Sequence, residues 1–182
     1  MQWEHDLLCS FRSLRSPFMD WVMSFFSTIN YHGYVCIALA VILIIFRRTR
    51  RTGLQVFMSI ALAYILANLI IKNIVARPRP YEVYADLIPL IGKPHDTSFP
   101  SGHAVSAFAA ATAVFFTNKK FGVLALLIAA IIAFSRLYNL VHFPTDVLAG
   151  AAIGIIMAVL VNYFFFPWAE KGVNRLRKKK AE

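Results

Sequence analysis

The sequence is poor in charged residues and in cysteine, and each shortage excludes a class of protein. Charged residues make up only 15% of the 182 residues, whereas 59% are hydrophobic. Soluble domains carry about 25% charged residues, so this composition argues against a soluble, disordered or fibrous chain and favours a membrane protein. The two cysteines, Cys9 and Cys36, are too few for a disulfide framework, and the sequence shows no evident metal-ligand spacing. We therefore expect a single membrane-embedded domain over residues 1–182.

Several apolar stretches are long enough, or nearly long enough, to form membrane helices. Residues 53–71 carry no charge and can cross about 30 Å of hydrocarbon. Further apolar runs cover 104–117, 121–135 and 147–166. The uncharged stretch 21–46 is interrupted by a turn at 30–33, and we interpret it as a short, tilted or partly re-entrant span over 17–29 followed by a second span over 33–46. One long span is the alternative, and the overall prediction is an all-α, polytopic bundle of about six transmembrane helices.

The N-terminal segment has the pattern of an amphipathic helix. Apolar residues recur at spacings of four, four and three residues, at Trp3, Leu7, Phe11 and Leu14. Such a stripe is typical of a helix that lies in the membrane interface. A helix that packs against the rest of the protein would show the same pattern, so both interpretations stay open.

The basic residues are distributed unevenly along the chain. Clusters at 47–51, 119–120 and 171–180 share one side of a six-span chain, together with Arg12 and Arg15, and the positive-inside rule makes that side cytoplasmic. Five of the 19 basic residues lie towards the opposite side, namely Lys72, Arg77, Arg79, Lys93 and Arg136. Basic groups on that side indicate an anionic ligand. Anionic lipid headgroups explain the basic tail better than nucleic acid does, so we expect no nucleic-acid partner.

Three segments rich in ionisable residues meet at this opposite face, and together they can bind a phosphate. They are residues 72–80, 98–103 and 135–146. Arginine binds phosphate oxygens in a bidentate way and lysine adds a point charge, which suits Lys72, Arg79 and Arg136. Backbone N–H groups at a helix start also bind anions. The segment 100–103 (Pro-Ser-Gly-His) opens such a helix, where Ser101 adds a hydroxyl and Gly102 permits close approach.

Two histidines and one carboxylate in these segments have the chemistry of a nucleophilic site. His142 precedes Pro144, a residue that suits the first position of a helix. Asp146 then falls in the first turn, near enough to accept a hydrogen bond from one ring nitrogen of His142 and leave the other as a nucleophile. His103 is available as the general acid for the leaving oxygen. Asp146 could instead serve only as a helix cap.

The order and spacing of these residues resemble the pattern of the type 2 phosphatidic acid phosphatase superfamily of membrane lipid phosphatases. That pattern is Lys-x6-Arg-Pro, Pro-Ser-Gly-His and Ser-Arg-x5-His-x3-Asp, and it covers residues 72–146 here. The resemblance implies that His142 attacks phosphorus and becomes a phosphohistidine, that Asp146 orients it and that His103 protonates the leaving group. It also implies that the phosphoryl oxygens are held by Lys72, Arg79, Ser101, Gly102 and Arg136. No metal or other cofactor is expected, because the cationic side chains take its place.

The resemblance also bears on the substrate, which is expected to be a membrane lipid phosphate in the bilayer. A resemblance to bacterial undecaprenyl diphosphate phosphatases makes undecaprenyl diphosphate the favoured substrate, hydrolysed to undecaprenyl phosphate and phosphate at the outer face of the cytoplasmic (inner) membrane. Phosphatidylglycerol phosphate and lipid A phosphatases are alternatives, and a non-catalytic lipid-binding or transport protein on the same fold is an alternative of another class. Arg77, which duplicates the Arg-Pro pair at Arg79, is either a contact for a second phosphate or a plain loop charge.

Overall fold

The computed structural model describes residues 2–167, and all regular secondary structure in that range is helical. The helices are α1 (Gln2–Ser13), α2 (Pro17–Ile29), α3 (Tyr34–Ile45), α4 (Arg50–Tyr64), α5 (Lys72–Val75), α6 (Pro80–Val83), α7 (Gly102–Thr117), α8 (Lys119–Tyr138) and α9 (Pro144–Leu160). A π-helical segment, Ile65–Ile71, joins α4 to α5, and a second one, Val161–Phe165, follows α9. The predicted all-α class is thus confirmed. The basic tail from residue 171 lies outside the described residues.

Three helical stretches are long and apolar enough to cross a membrane. They are Arg50–Val83, Lys119–Tyr138 and Pro144–Phe165. The pair α2 and α3 meets the same criterion together but is bent by 56° at the break between its helices, and α7 is apolar but only 16 residues long. The chain is therefore a multi-pass membrane protein.

The centre of the bundle is α7, which packs against α4, α8 and α9. Small residues allow the closest of these contacts. A Cβ atom added at Gly154 of α9 would lie 2.5 Å from the carbonyl oxygen of Val105, and one at Gly150 would lie 2.6 Å from that of Ser101. Close approach through glycines four residues apart is a common way for membrane helices to associate. This contact fixes the start of α7 against the start of α9, where two of the three predicted site segments lie.

Helix α2 does not run from one side of the bundle to the other. Near its start, Asp20 accepts a hydrogen bond of 2.6 Å from the hydroxyl of Tyr138, at the end of α8. Just beyond its end, the amide of Asn30 donates to the carbonyl oxygen of His103, in the first turn of α7, at 3.3 Å. Both ends of α2 therefore lie at the end of the bundle that carries the predicted site. Within residues 2–167 this matches the re-entrant interpretation of 17–29, and the predicted count of six full spans is not reproduced.

Helix α1 lies at the same end of the bundle as the site segments. Arg12 donates a hydrogen bond of 3.0 Å to the carbonyl oxygen of Asp86, and Arg15 donates one of 3.1 Å to that of Ile88. The loop that contains both acceptors connects α6 to α7. The expectation that Arg12 and Arg15 lie beside the other basic clusters is therefore wrong, because the turns that carry those clusters, at 47–51 and 119–120, are at the opposite end.

The two faces of α1 differ as an interfacial helix requires, but part of the helix also packs on the protein. Glu4 and Leu8 are fully buried, whereas Trp3, Leu7 and Leu14 are exposed. Three of the four residues of the predicted apolar stripe are therefore exposed, whereas the fourth, Phe11, packs against the buried cluster that contains Leu8. Both interpretations of the pattern thus describe part of this helix, and its position in the membrane interface stays a prediction.

Candidate active site

A cavity of about 1050 Å³ opens at the end of the bundle where the site segments meet. Six residues with predicted site roles contribute side chains or backbone to one end of it: Lys72, Arg79, Gly102, His103, Arg136 and His142. The rest of the wall is largely apolar and comes from α3, α4 and the π-helical segment that follows α4, through Ile37, Phe57, Ile60 and Ile65 among others. The cavity therefore joins a cationic, histidine-containing end to a hydrophobic groove.

The imidazole of His142 is buried, and its two nitrogens have different neighbours. Nε2 lies 3.4 Å from a guanidinium nitrogen of Arg79. Arginine can only donate, so Nε2 accepts and Nδ1 carries the ring hydrogen. Burial lowers the pKa of His142 well below its usual range, and the charges of Arg79 and Arg136 lower it further. The ring is thus neutral at pH 7, with an unprotonated Nε2 beside the cationic end of the cavity.

Asp146 is fully buried behind His142, but it does not form the expected direct hydrogen bond with it. Oδ2 of Asp146 and Nδ1 of His142 are 3.7 Å apart, which exceeds hydrogen-bond distance. Ser98 lies near both groups, since its hydroxyl donates to Oδ2 of Asp146 and is 3.4 Å from Nδ1 of His142. The same Oδ2 accepts from the backbone N–H of Phe143 at 2.8 Å, so Asp146 also caps α9. The two roles considered for Asp146, beside the histidine and as a helix cap, are compatible.

His103 and Arg136 are both held by Ser27, near the end of α2. Nε2 of His103 is 3.0 Å from the carbonyl oxygen of Ser27, and a guanidinium nitrogen of Arg136 donates to the hydroxyl of Ser27. A carbonyl oxygen only accepts, so Nε2 of His103 carries a hydrogen. Sequence reasoning missed Ser27, although a serine and the nearby Asn30 in an apolar stretch were a usable signal. The hydrogen bonds of Ser27 and Asn30 hold the C-terminal end of α2 at the site end of the bundle.

Asp96 lies between two cationic side chains, those of Lys72 at the start of α5 and Arg79 just before α6. Its carboxylate accepts a hydrogen bond from the ammonium of Lys72 and another, at 2.7 Å, from Arg79. Burial would raise the pKa of Asp96, but Lys72 and Arg79 outweigh it and hold the pKa well below its usual range. Sequence reasoning also missed this residue. A carboxylate held by the same two cations resembles the way a phosphoryl group would be held.

The start of α7 lies close to these groups. Ser101 is fully buried, and its hydroxyl finds no hydrogen-bond partner within the described residues. Its backbone N–H donates to the carbonyl oxygen of Asp146 at 3.0 Å, which ties the start of α7 to α9. A Cβ atom added at Gly102 would lie 3.2 Å from Oδ1 of Asn68, so this position leaves little room for a side chain. Gly102 lines the cavity, and Ser101 directly precedes it, so their contact with a phosphoryl group stays a prediction.

Arg77 points away from that end, although only one residue separates it from Arg79. One guanidinium nitrogen donates to Oδ1 of Asp146 at 2.6 Å and to the hydroxyl of Thr145 at 2.7 Å. The other donates to the buried carboxylate of Glu4 at 2.6 Å. The preceding Ala76 has φ of 44°, a left-handed conformation that turns the chain after α5. Both guanidinium nitrogens are engaged with carboxylates, so the structure gives no support to a second-phosphate contact through Arg77.

The chain belongs to the PAP2 superfamily. A sequence profile of that superfamily matches residues 52–170, which is more than half of the chain and includes all three site segments. This match confirms the family resemblance seen in the motifs.

Individual relatives agree with this assignment. An undecaprenyl-diphosphatase of Sulfolobus acidocaldarius is 35% identical over 122 residues, which cover 66% of this chain and 59% of the relative. The crystal structure of Aquifex aeolicus LpxE matches with a TM-score of 0.78 and 31% identity, over 87% of this chain and 94% of that chain. A PAP2 type phosphatidylglycerolphosphate phosphatase from Bacillus subtilis matches with a TM-score of 0.76 and 25% identity, over 91% of this chain and 86% of that chain.

Proposed function

We propose that this protein is a membrane phosphatase that hydrolyses a lipid phosphate or diphosphate through a phosphohistidine intermediate. The observation that carries the proposal is the cavity, which joins a cluster of cations and histidines to an apolar groove between helices. A ligand that fits such a space has an anionic head and a hydrocarbon tail. Membership of the PAP2 superfamily supports the same conclusion.

In the proposed first step, Nε2 of His142 attacks phosphorus and the bond to the leaving oxygen breaks. The ring is suited to this, because it is neutral and its hydrogen is on Nδ1, towards Ser98 and Asp146. As Nε2 forms its bond to phosphorus, the ring becomes positively charged, and the carboxylate of Asp146 stabilises that charge. His103 acts as the general acid in its imidazolium form: it transfers the Nε2 hydrogen, which faces the Ser27 carbonyl before substrate binds, to the leaving oxygen and becomes neutral.

The phosphoryl oxygens are held by the groups that surround this nitrogen. Lys72, Arg79 and Arg136 supply positive charge, and the buried hydroxyl of Ser101 and the N–H of Gly102 supply neutral donors. Hydrogen-bond donors fixed before the reaction stabilise the charge that develops in the transition state. In the second step neutral His103 accepts a proton from water as the water oxygen attacks phosphorus, the bond to His142 breaks, and inorganic phosphate leaves. The residues named supply the charges and protons, so this scheme contains no metal ion.

Undecaprenyl diphosphate is the proposed substrate, hydrolysed to undecaprenyl phosphate and inorganic phosphate. The 35% identity to an undecaprenyl-diphosphatase supports this choice. Phosphatidylglycerol phosphate is the second candidate, because the Bacillus subtilis phosphatidylglycerolphosphate phosphatase matches 91% of this chain in three dimensions. Both lipids have the anionic head and the apolar tail that the cavity requires.

The proposed location is the bacterial cytoplasmic membrane, with the site facing the extracytoplasmic side. The basic turns at 47–51 and 119–120 lie at the end of the bundle opposite to the site, and such turns face the cytoplasm in multi-pass proteins. Replacing the exposed Lys93, at the site end, by cysteine tests this orientation. A membrane-impermeant maleimide should label that cysteine in intact cells, and labelling only after lysis would contradict it.

The test of function is phosphate release by the detergent-purified protein in the presence of EDTA. Wild type and His142→Ala would each receive undecaprenyl diphosphate and phosphatidylglycerol phosphate in parallel. We expect EDTA-resistant release that falls at least about 1000-fold in His142→Ala, the size of loss typical of a missing nucleophile. The faster lipid identifies the substrate.

Three outcomes would overturn parts of this proposal. Undiminished release by His142→Ala would contradict the phosphohistidine mechanism. Release abolished by EDTA at a temperature where the EDTA-treated protein stays folded would contradict the metal-free scheme. Tight binding of either lipid by folded wild type with no release would favour the non-catalytic lipid-binding alternative. Size-exclusion chromatography and the melting temperature of each variant show whether it is folded.

A further inference from the structure

A second cluster of reactive side chains lies outside the cavity, where α1 meets the loop between α6 and α7. His5 and Cys9 are four residues apart on α1 and therefore share one face of the helix. Asp86 approaches them from the loop, 77 residues further along the chain than Cys9. Each side chain offers one ligand atom, and the three atoms lie within 4.8 Å of one another. We propose that His5, Cys9 and Asp86 bind a zinc(II) ion.

The three distances within the cluster fit one face of a tetrahedral zinc site. Nε2 of His5 is 3.1 Å from Oδ2 of Asp86, Sγ of Cys9 is 3.6 Å from that nitrogen, and Sγ is 3.7 Å from that oxygen. Ordinary zinc–ligand bond lengths at tetrahedral angles predict about 3.6 Å for N to S, about 3.6 Å for S to O and about 3.3 Å for N to O. All three observed distances agree with these values to a few tenths of an ångström.

The kinds of ligand select the kind of metal. Magnesium and calcium take oxygen ligands, whereas one thiolate, one imidazole and one carboxylate suit zinc. Binding replaces the thiol hydrogen of Cys9, which is released to solvent as a proton. Three protein ligands leave a fourth position for water. Asp86 is half exposed, so this position can be reached from outside.

Neighbouring groups hold the ligands in place. The ring of His5 packs on that of Tyr84 with 4.3 Å between centroids, which restricts its orientation. Its Nδ1, the nitrogen not directed at the cluster, is 3.6 Å from a carboxylate oxygen of Asp6. A carboxylate near the second nitrogen is the usual companion of a histidine that binds metal. The backbone of Asp86 is fixed by Arg12, which donates to its carbonyl oxygen.

The proposed ion has a structural consequence that does not depend on the proposed activity. It would connect α1 to the loop that leads to the start of α7. Helix α1 also carries Glu4, whose buried carboxylate accepts from Arg77, and Arg77 in turn donates to Asp146. Zinc would therefore stabilise the packing around Asp146 without contacting the cavity, as a structural ion and not as a participant in phosphate transfer.

Cobalt(II) provides a direct test, because it adopts the same tetrahedral geometry and has a visible spectrum. Metal-free protein in detergent, prepared without a polyhistidine tag, would be titrated with Co²⁺. We expect one equivalent to produce tetrahedral d–d bands and a thiolate-to-cobalt charge-transfer band, and Zn²⁺ to abolish both by displacement. Zn²⁺ should also raise the melting temperature of wild type.

Variants identify the ligands. Cys9→Ser should lose the charge-transfer band and the Zn²⁺-dependent rise in melting temperature, whereas the matched control Cys36→Ser, in the bundle core, should keep the band. His5→Gln and Asp86→Asn should each weaken Co²⁺ binding by more than the roughly 10-fold that loss of an outer-shell partner costs. Absence of the band in folded wild type, its loss in Cys36→Ser, or unchanged affinity in Asp86→Asn would each overturn the proposal. Metal-free protein should retain phosphatase activity at low temperature. The metal-binding test and the phosphatase test can therefore succeed or fail independently of each other.

Discussion

Two walls of the cavity are built in different ways. On one side, α7 lines the cavity and packs on Gly150 and Gly154 of α9, so closely that an added Cβ atom at either glycine would collide with backbone. On the other side, α3 and α4 present large side chains to the groove, and several of them, such as Tyr34 and Phe57, are about half exposed. The close contact fixes the groups that are proposed to act on phosphorus, while the open wall needs only to be apolar. We therefore expect the tightly packed wall to tolerate few substitutions and the apolar wall to tolerate many.

Among the substitutions that test this difference between the two walls, Gly154→Val is expected to have the largest effect. Gly154→Val places side-chain atoms against Val105 and Ala109 of α7, and overpacking of this kind costs about 1–3 kcal/mol. The melting temperature in detergent should fall, and activity should fall with it because α7 and α9 carry the site. The control is Ala152→Val, which adds the same side chain to an exposed position of the same helix. Equal melting temperatures for the two variants would show that the contact tolerates the added volume.

A smaller effect is expected from Asp96, at the polar end of the cavity. Its carboxylate forms ion pairs with Lys72 and Arg79, so a phosphate that binds these two cations must displace it. Asp96→Asn removes the competing charge and should tighten binding of inorganic phosphate about 10-fold, or about 1.4 kcal/mol. Calorimetric titration measures this directly, with the exposed Asp6→Asn as a control. Weaker binding in Asp96→Asn would mean that the carboxylate positions the two cations for phosphate.

The smallest effect is expected on the apolar wall. Phe57→Ala removes about 1 kcal/mol of contact with a lipid tail, which is roughly a 5-fold rise in KM. We expect kcat for the lipid to stay the same, and both constants to stay the same for a short-chain, water-soluble phosphate ester. Leu148→Ala, on an exposed part of α9 that does not line the cavity, is the control. A lower kcat in Phe57→Ala would imply that this wall also positions the phosphate.

The two walls also differed in how far sequence could predict them. Motif spacing predicted that Lys72, Arg79, His103, Arg136 and His142 would meet, because each flanks an apolar run whose ends alternate between the two sides. It could not reveal that Arg77 points elsewhere, since this depends on the left-handed turn at Ala76 and on Glu4, 73 residues away. Asp96 and Ser27 were missed for the same reason, because their partners are distant in sequence.

The number of spans and the proposed zinc site show the same limit. Hydropathy identified 17–29 as apolar, but only the contacts of Asp20 and Asn30 show that both ends of α2 lie at the site end of the bundle. The spacing of His5 and Cys9 was visible in the sequence as two residues on one helical face. The third ligand, Asp86, comes from a distant loop, so the sequence analysis found no metal-ligand spacing.

The mixed polarity of the cavity has a consequence for the fate of the products. Its apolar wall includes exposed side chains such as Tyr34 and Phe57, which would face hydrocarbon in a membrane, whereas its polar end is bordered by the exposed loop residues Lys93 and His95. A lipid cleaved there and the phosphate released from it would find separate exits, one into the bilayer and one into water. Diffusion in two immiscible phases would then keep the products apart, so that the reverse reaction would be suppressed without any moving gate.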